Sequence, residues 1–184
     1  RNRVADELRL QGVTHEEIRL RAFERTVALV AGRERGLAED LYALYIRHRF
    51  EGIALYPDVI PTLDALRGDL TIGFLSNGNS YPDRCGLEGQ FEFVVLSQEV
   101  GVAKPDAGFF RIACERAGCA LRELVHVGDS LEQDVAGANG VGATSVWLNR
   151  EMRRNDSGII PDHETQSLGQ LAALVASGEE AADG

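Results

Sequence analysis

The sequence has few cysteines, no long hydrophobic run and no excess of positive charge. Its three cysteines, Cys85, Cys114 and Cys119, follow no metal-ligand spacing, and an odd number fits a reducing compartment better than a disulfide framework. No signal peptide or membrane-length apolar run is present, so we expect a soluble cytoplasmic protein. A net charge of -10 argues against nucleic acid or an anionic membrane as the main partner.

The 184 residues fit one domain or a core domain with a smaller insert. The predicted secondary structure changes near Tyr56. Residues 1–55 are predicted to form three helices with no intervening strand. The first is marked by Val4 and Leu8, and Thr14 with Glu17 forms a capping-box pattern before the second. This region therefore predicts an all-helical subdomain.

Residues 56–178 predict an α/β core, because apolar strand-like runs alternate with helices. Such alternation indicates a Rossmann-like parallel sheet covered on both faces. Pro105 can start the helix between the second and third runs, a last helix begins near Ser167, and residues 179–184 form an acidic tail. The predicted strands are 70–75, 91–96, 124–127 and 144–148.

The segment from Leu124 to Trp147 predicts a strand, a tight turn and the start of a helix, and it carries two acids. Asp129 follows the strand and Asp134 lies in the first helical turn. Ligands bind at the carboxyl ends of parallel strands, and two carboxylates there suit Mg²⁺. The alternative is that Asp129 caps the turn and Asp134 favours the helix N-terminus. We interpret His126, inside the strand, as a packed or satisfied core residue.

Polar groups also follow the two preceding strands. Ser76, Asn77 and Gly78 come directly after the first strand and can donate hydrogen bonds to an oxyanion, or they form a plain polar turn. Lys104 precedes a helix and can neutralise a phosphate or hold a carboxylate ionised, or it is a solvated surface charge. Because these groups follow three successive strands of one sheet, we expect them to converge on one site with the acidic pair.

The order of these motifs resembles the haloacid dehalogenase superfamily of hydrolases over essentially the whole chain. The pattern G-x-x-K-P followed by G-D-S-x-x-x-D-x-x-G-A is far more specific than its parts. The matching stretches are FLSNGN (74–79), VGVAKPDAGFF (100–110) and VHVGDSLEQDVAGANGVGATSVWLNR (125–150).

The resemblance implies a role for each matched residue. Ser76 would hydrogen-bond phosphoryl oxygens, with Asn77 and Gly78 supporting it, and Lys104 would balance the charge of the nucleophile and the transferring phosphoryl group. Asp129 would coordinate Mg²⁺ directly, and Asp134 directly or through water. The helices of residues 1–55 would form a cap that closes over the site and selects a small phosphorylated substrate. An aspartate would attack the phosphate ester and form an aspartyl-phosphate.

One motif of that family, D-x-D, is absent from the chain, which begins at Arg1 within the predicted cap. The motif supplies the nucleophile and ends a central strand, so the predicted core lacks its first strand. Either the chain is part of a longer active protein with its nucleophile upstream of Arg1, or it is a truncated chain without that chemistry. The intact downstream groups and the cost of losing a central strand favour the first.

Three other functions remain open. Dehalogenation of a 2-haloacid fits LSNGN (75–79), but that branch needs no metal and lacks the acidic pair. A receiver domain gathers similar groups, but its acidic pair precedes the hydroxyl and the lysine. A catalytically silent binding protein would use the cap as a docking surface. The sequence therefore predicts a Mg²⁺-dependent phosphohydrolase and gives no signal for its substrate's identity or for oligomeric state.

Overall fold

Two helices form the amino-terminal part of the computed structural model, which describes residues 15–30, 36–78 and 80–174. Helix α1 spans His15–Val30 and helix α2 spans Leu37–Phe50. They pack through an aromatic cluster in which the Phe23 ring lies 6.1 Å from the Tyr42 ring and 5.8 Å from the Tyr45 ring. The second and third predicted helices are thus confirmed, whereas the first, at Val4 and Leu8, and the capping residue Thr14 lie outside the described residues.

All four predicted strands are present and pair in parallel. Strands β1 and β2 form one sheet, whereas β3, β4 and a fifth strand, β5, form another in that order. Within the described ranges no backbone pairing joins the two sheets. The carboxyl end of β1 falls at Ser76, so this residue belongs to the strand and does not follow it. The strands span Gly73–Ser76 (β1), Phe93–Leu96 (β2), Val125–Gly128 (β3), Thr144–Leu148 (β4) and His163–Thr165 (β5).

Helices connect these strands and bury their apolar faces. Helix α5 carries two fully buried adjacent rings: Phe109 packs with Val95 of β2, and Phe110 packs with Ala138 of α6. A single helix thereby joins the cores beneath both sheets. The helices are Val59–Leu66 (α3), Ser97–Val100 (α4), Ala107–Ala117 (α5) and Ala136–Val141 (α6).

Two predicted helix starts are wrong in detail. Helix α5 begins at Ala107 and not at Pro105, because the Asp106 carboxylate caps it by accepting a hydrogen bond from Gly108 N at 2.7 Å. After β3 a π-helical turn, Leu131–Val135, precedes α6.

Near the carboxyl end of the described chain, a 3₁₀ turn, Leu168–Gln170, leads into a helix described to residue 174, with Leu171 buried. No helix in the described ranges is long and apolar enough to cross a membrane.

Candidate active site

Lys104 links the carboxyl ends of β1 and β3. Its ammonium group donates hydrogen bonds to the carbonyl oxygen of Leu75 at 3.2 Å and to Asp134 Oδ1 at 2.6 Å. The side chains of Lys104 and Asp134 are only 10% and 5% exposed. Lys104 is therefore a buried charge between the two strand ends, and the interpretation of it as a solvated surface charge is wrong.

Asn77 fixes the loop that carries this lysine. Its side-chain amide donates to the carbonyl oxygen of Lys104 and accepts from the Lys104 backbone N–H, both at 2.8 Å. The same amide nitrogen lies 3.1 Å from Gln133 Oε1, on the turn after β3. The Asn77 side chain thus positions the lysine loop against both strand ends.

Ser76 and Gly78 form a tight turn at the end of β1. The Ser76 hydroxyl oxygen accepts a hydrogen bond from Gly78 N at 3.0 Å, and both residues are half-buried. Ser97 supports the turn by donating to the Asn77 carbonyl oxygen at 3.0 Å. Ser76 and Lys104 therefore lie at the same strand end, where the sequence predicted them, and the Ser76 hydroxyl proton remains available to a ligand.

Asp134 is the most strongly perturbed acid of the site. Burial alone raises the pKa of a carboxylic acid, but a hydrogen bond from His126 and the charge and hydrogen bond of Lys104 outweigh it and lower the pKa to about 2. His126 Nε2 lies 2.8 Å from Asp134 Oδ1, which assigns a proton to Nε2, and the Ser130 backbone N–H donates to Oδ2 at 3.0 Å. Asp134 is therefore an anion held by three donors.

Gly128 makes room for this carboxylate. A Cβ atom at residue 128 would stand 2.1 Å from Asp134 Cγ, a separation that no side chain tolerates. The absence of a side chain at the end of β3 thus allows Asp134 to fold back over the strand. His126, two residues earlier, points to the same face and reaches the same carboxylate.

Asp129 is bonded through its backbone, whereas Asp134 is bonded through its carboxylate. It is exposed, and its backbone carbonyl accepts hydrogen bonds from Trp147 Nε1 at 3.2 Å and Arg153 Nη2 at 3.1 Å. Its carboxylate makes no hydrogen bond or ion pair with any residue that the structure describes. The interpretation of Asp129 as a side-chain cap of the turn is therefore wrong: the Ser130 hydroxyl serves as the cap by accepting from Gln133 N at 3.1 Å.

The carboxylates of Asp129 and Asp134 meet some of the requirements of a Mg²⁺ site. Mg²⁺ usually keeps several waters and takes one or two protein carboxylates, so the free carboxylate of Asp129 suits it. Asp134 is already neutralised by Lys104 and therefore fits best as a ligand through water. Among residues 15–30, 36–78 and 80–174, no group of three or more histidine, cysteine or acidic side chains is close enough to enclose a metal.

Two parts of the site were not predicted from the sequence. His126 is buried and satisfied, as predicted, but its partner is Asp134, so it belongs to the site as well as to the core. Gln133 contacts Asn77 and was not considered. The alternation of side chains along a strand gave a signal for His126, because residues 126 and 128 share a face; no comparable signal marks Gln133.

Much of the chain is similar in sequence to known hydrolases. The sequence profile of haloacid dehalogenase-like hydrolases matches residues 4–142. A pyrimidine 5'-nucleotidase, YjjG, from Escherichia coli is 38% identical over 125 residues, which are 65% of this chain and 56% of that protein. A phosphoserine phosphatase from Thermus thermophilus is 35% identical over 140 residues, 73% of this chain and 56% of that protein. The chain thus spans little more than half the length of either relative.

Solved structures agree with these sequence matches. A 2-haloacid dehalogenase from Pseudomonas syringae pv. Tomato superposes with a TM-score of 0.84 at 30% identity, covering 96% of this chain and 77% of the other. A HAD phosphatase from Thermococcus onnurineus superposes with a TM-score of 0.66 at 31% identity, covering 83% and 78% respectively. The α/β architecture described above is common to these proteins.

Proposed function

The chain belongs to the haloacid dehalogenase-like hydrolases, and from this premise we propose that the protein is a Mg²⁺-dependent phosphohydrolase that acts on a small phosphorylated metabolite. The observation that carries the proposal is the buried Lys104 ammonium group, which bonds to Leu75 O beside Ser76 and to Asp134 in the turn that follows Asp129. Opposite charges at two neighbouring strand ends suit a phosphoryl group and the cation that accompanies it.

Each residue has a distinct task in this proposal. Lys104 stabilises negative charge on the transferring phosphoryl group, and the Ser76 hydroxyl donates a hydrogen bond to one of its oxygens. Asn77 keeps the lysine loop in place, and Asp134 keeps the ammonium group oriented through their contact of 2.6 Å. Asp129 would hold Mg²⁺, with Asp134 reaching it through water; the ion would supply positive charge to the phosphoryl oxygens.

The reaction requires a nucleophilic aspartate from the D-x-D motif, which this chain lacks. No D-x-D pair occurs in the sequence. We place the attacking aspartate in a segment upstream of Arg1, so that the phosphate ester is split through an aspartyl-phosphate that water then hydrolyses. The separation of the sheet β1–β2 from the sheet β3–β4–β5 supports a further strand between them, and its carboxyl end would lie beside Lys104.

The similar proteins support phosphate esters as substrates. The two relatives above are a pyrimidine 5'-nucleotidase and a phosphoserine phosphatase. A third relative, from Methanopyrus kandleri, is a glyceraldehyde 3-phosphate phosphatase at 35% identity. Their substrates differ in everything except the phosphate group. The shared chemistry therefore supports a small phosphorylated substrate, and its remaining part is chosen elsewhere in the molecule.

Dehalogenation of a 2-haloacid is the second candidate, and the superposition on a 2-haloacid dehalogenase favours it. That reaction needs no metal, whereas Asp129 and Asp134 place two carboxylates after β3, the kind of ligand that Mg²⁺ takes. The family membership removes the receiver-domain alternative. A catalytically silent binding protein remains as a third hypothesis; the cytoplasmic location and the absence of a nucleic-acid or membrane partner stay predictions from composition.

One assay separates these hypotheses. The full-length protein is incubated with p-nitrophenyl phosphate and, separately, with 2-chloropropionate, in Mg²⁺ and in EDTA. We expect phosphate release that EDTA abolishes and no chloride release. Chloride release in EDTA would support the dehalogenase instead, and the absence of both products would support a binding protein.

A further inference from the structure

Three arginines lie where the helices α1 and α2 meet the loop that follows β1. Arg49 of α2 donates a hydrogen bond to the Ser80 hydroxyl at 3.2 Å, and Ser80 is only four residues beyond Ser76. Arg84, in the same loop, forms an ion pair with Glu16 of α1 at 3.3 Å. Arg19 of α1 is the third. The contact between the helices and the core is therefore made next to the candidate phosphate site.

Two of these guanidinium groups share one neutral acceptor. Arg19 and Arg49 both donate to the phenol oxygen of Tyr45, Arg49 at 3.2 Å. No ion pair between described residues includes either arginine, in contrast to Arg84. Two cations that converge on an uncharged oxygen repel each other, and the repulsion is relieved when an anion joins them.

The same place has unused hydrogen-bond donors. The Tyr42 hydroxyl is buried and has no hydrogen-bond partner in the part of the chain that the structure describes. The ring of Tyr42 is stacked on that of Tyr45, with centroids 6.5 Å apart, and the Tyr45 hydroxyl accepts from Arg49 but donates to no oxygen of the described residues. Buried donors without an acceptor cost free energy, so this cluster of donors is incomplete without a ligand that accepts hydrogen bonds.

We propose that Arg19, Arg49, Tyr42 and Tyr45, here called the arginine–tyrosine cluster, bind a second anionic group of the phosphorylated substrate. The inference rests on the proposed phosphohydrolase function and narrows its substrate class to phosphate esters that also carry a carboxylate or another phosphate. Both groups present the oxygen pair that a guanidinium fork recognises. Arg49 connects the two sites, because it contacts Tyr45 on one side and the loop after Ser76 on the other.

The test uses matched pairs of substrates with the full-length protein. O-phosphoserine and O-phosphoethanolamine differ by one carboxylate, and a sugar bisphosphate and the corresponding monophosphate differ by one phosphate. We expect the more anionic member of at least one pair to have a kcat/KM about 10- to 100-fold higher, mainly through KM, the range that hydrogen bonds to a charged group provide. The pair that shows the preference identifies the anion as carboxylate or phosphate.

Arg49→Met should remove most of that preference, because it deletes the charge and keeps an unbranched apolar side chain. Arg19→Met should do the same from the other helix, and the two changes should combine with less than additive effect because they act on one anion. Arg47→Met is the matched control: Arg47 lies on α2, is exposed and pairs with Glu51 at 3.6 Å, so the preference should be retained. Circular dichroism verifies that each variant is folded.

The outcomes separate the two proposals. If the wild-type protein hydrolyses phosphate esters but prefers neither anionic member, or if Arg49→Met and Arg19→Met lower turnover of both members of a pair equally, the anion site is refuted and the phosphohydrolase stands. If no phosphate ester is hydrolysed in Mg²⁺, the proposed function fails, and the anion site fails with it.

Discussion

At the scale of single residues, Lys104 supplies the ammonium group that bonds to the ends of two strands. It is the only lysine among the 19 lysine and arginine residues. Its compact ammonium group fits between the Leu75 carbonyl and Asp134, where the planar fork of an arginine would need more room. The chemistry of this residue therefore depends on the shape of the group as well as on its charge.

Lys104→Met should reduce phosphate-ester turnover by at least ~100-fold in the full-length protein, because one preorganised electrostatic contact in a site is worth about 3 kcal/mol. Lys104→Arg should also be strongly impaired, because charge alone does not restore the contact. Initial rates at saturating substrate measure both. Turnover near the wild-type value in either variant would remove Lys104 from the catalytic machinery.

The residues of the site were predictable to different degrees. Ser76, Lys104 and Asp134 could be placed together because polar groups that follow successive parallel strands meet at one edge of a sheet. The partners of these groups could not be predicted, since hydrogen bonds such as those from Asn77 to the lysine loop and from His126 to Asp134 depend on side-chain directions that no sequence pattern encodes.

At the scale of elements, an ion pair ties the segment after the predicted cap to the core. Arg150, at the end of β4, donates two hydrogen bonds to Asp58, at 2.9 and 3.0 Å, over a separation of 92 residues. The Asp58 carboxylate also accepts from Leu168 N at 2.7 Å, and the Arg150 guanidinium lies 4.1 Å from the centre of the Tyr56 ring. One carboxylate thus holds together three parts of the chain.

This contact predicts a pH dependence. The hydrogen bond from Arg150 lowers the pKa of Asp58 below its ordinary value of 3.8, more than burial raises it. A depressed pKa means that the stabilisation is complete above the unfolded pKa and is lost as pH falls through the folded pKa. We expect Asp58→Asn to lower the free energy of unfolding by about 1–3 kcal/mol near neutral pH, and by progressively less below about pH 4.

Thermal denaturation of both proteins from about pH 7 to pH 3 measures this difference. Asp64→Asn serves as a control, because Asp64 is an exposed acid on α3, the helix that Asp58 precedes, and its replacement should leave the melting temperature unchanged at all pH values. A deficit of Asp58→Asn that stays constant down to pH 3 would show that the ion pair is not its cause.

The strands and helices lie close to their predicted positions where the apolar periodicity of the sequence is strong. Strands β2, β3 and β4 and helices α1, α2 and α3 lie where the pattern predicted them. Strand β5 was missed because it has only three residues, of which His163 and Glu164 are exposed, so it carries no apolar run. The turn before α6 was misassigned because Ser130 O accepts from both Asp134 N and Val135 N, an arrangement that periodicity does not reveal.

At the scale of the whole molecule, the described core consists of two small parallel sheets. Helix α5 packs beneath both, and the Lys104 loop connects their carboxyl ends, yet their neighbouring edges are not paired within the described ranges. Unpaired ladder groups are costly inside a domain. The expectation of a further central strand came from the family resemblance, and the two-sheet arrangement is consistent with it.

The division into a cap (residues 1–55), a core (56–178) and an acidic tail (179–184) stays a prediction. The described helices α1 and α2 contact the core through Arg49 and Ser80, Arg84 and Glu16. If these helices close over the site, the arginine–tyrosine cluster and the phosphate site would enclose the two ends of one substrate. The choice of substrate would then be a property of the whole molecule, and no local motif could have predicted it.

The proposed role of Asp129 as a Mg²⁺ ligand is tested by the dependence of turnover on Mg²⁺ in the Asp129→Asn variant. Phosphate release by the full-length wild-type and variant proteins is measured while Mg²⁺ is varied, together with their melting temperatures. We expect the variant to lose metal-supported turnover by at least ~100-fold and to melt like the wild type, because the structural bonds of Asp129 are made by its backbone carbonyl. Near-normal turnover of the variant, with an unchanged response to Mg²⁺, would contradict this role.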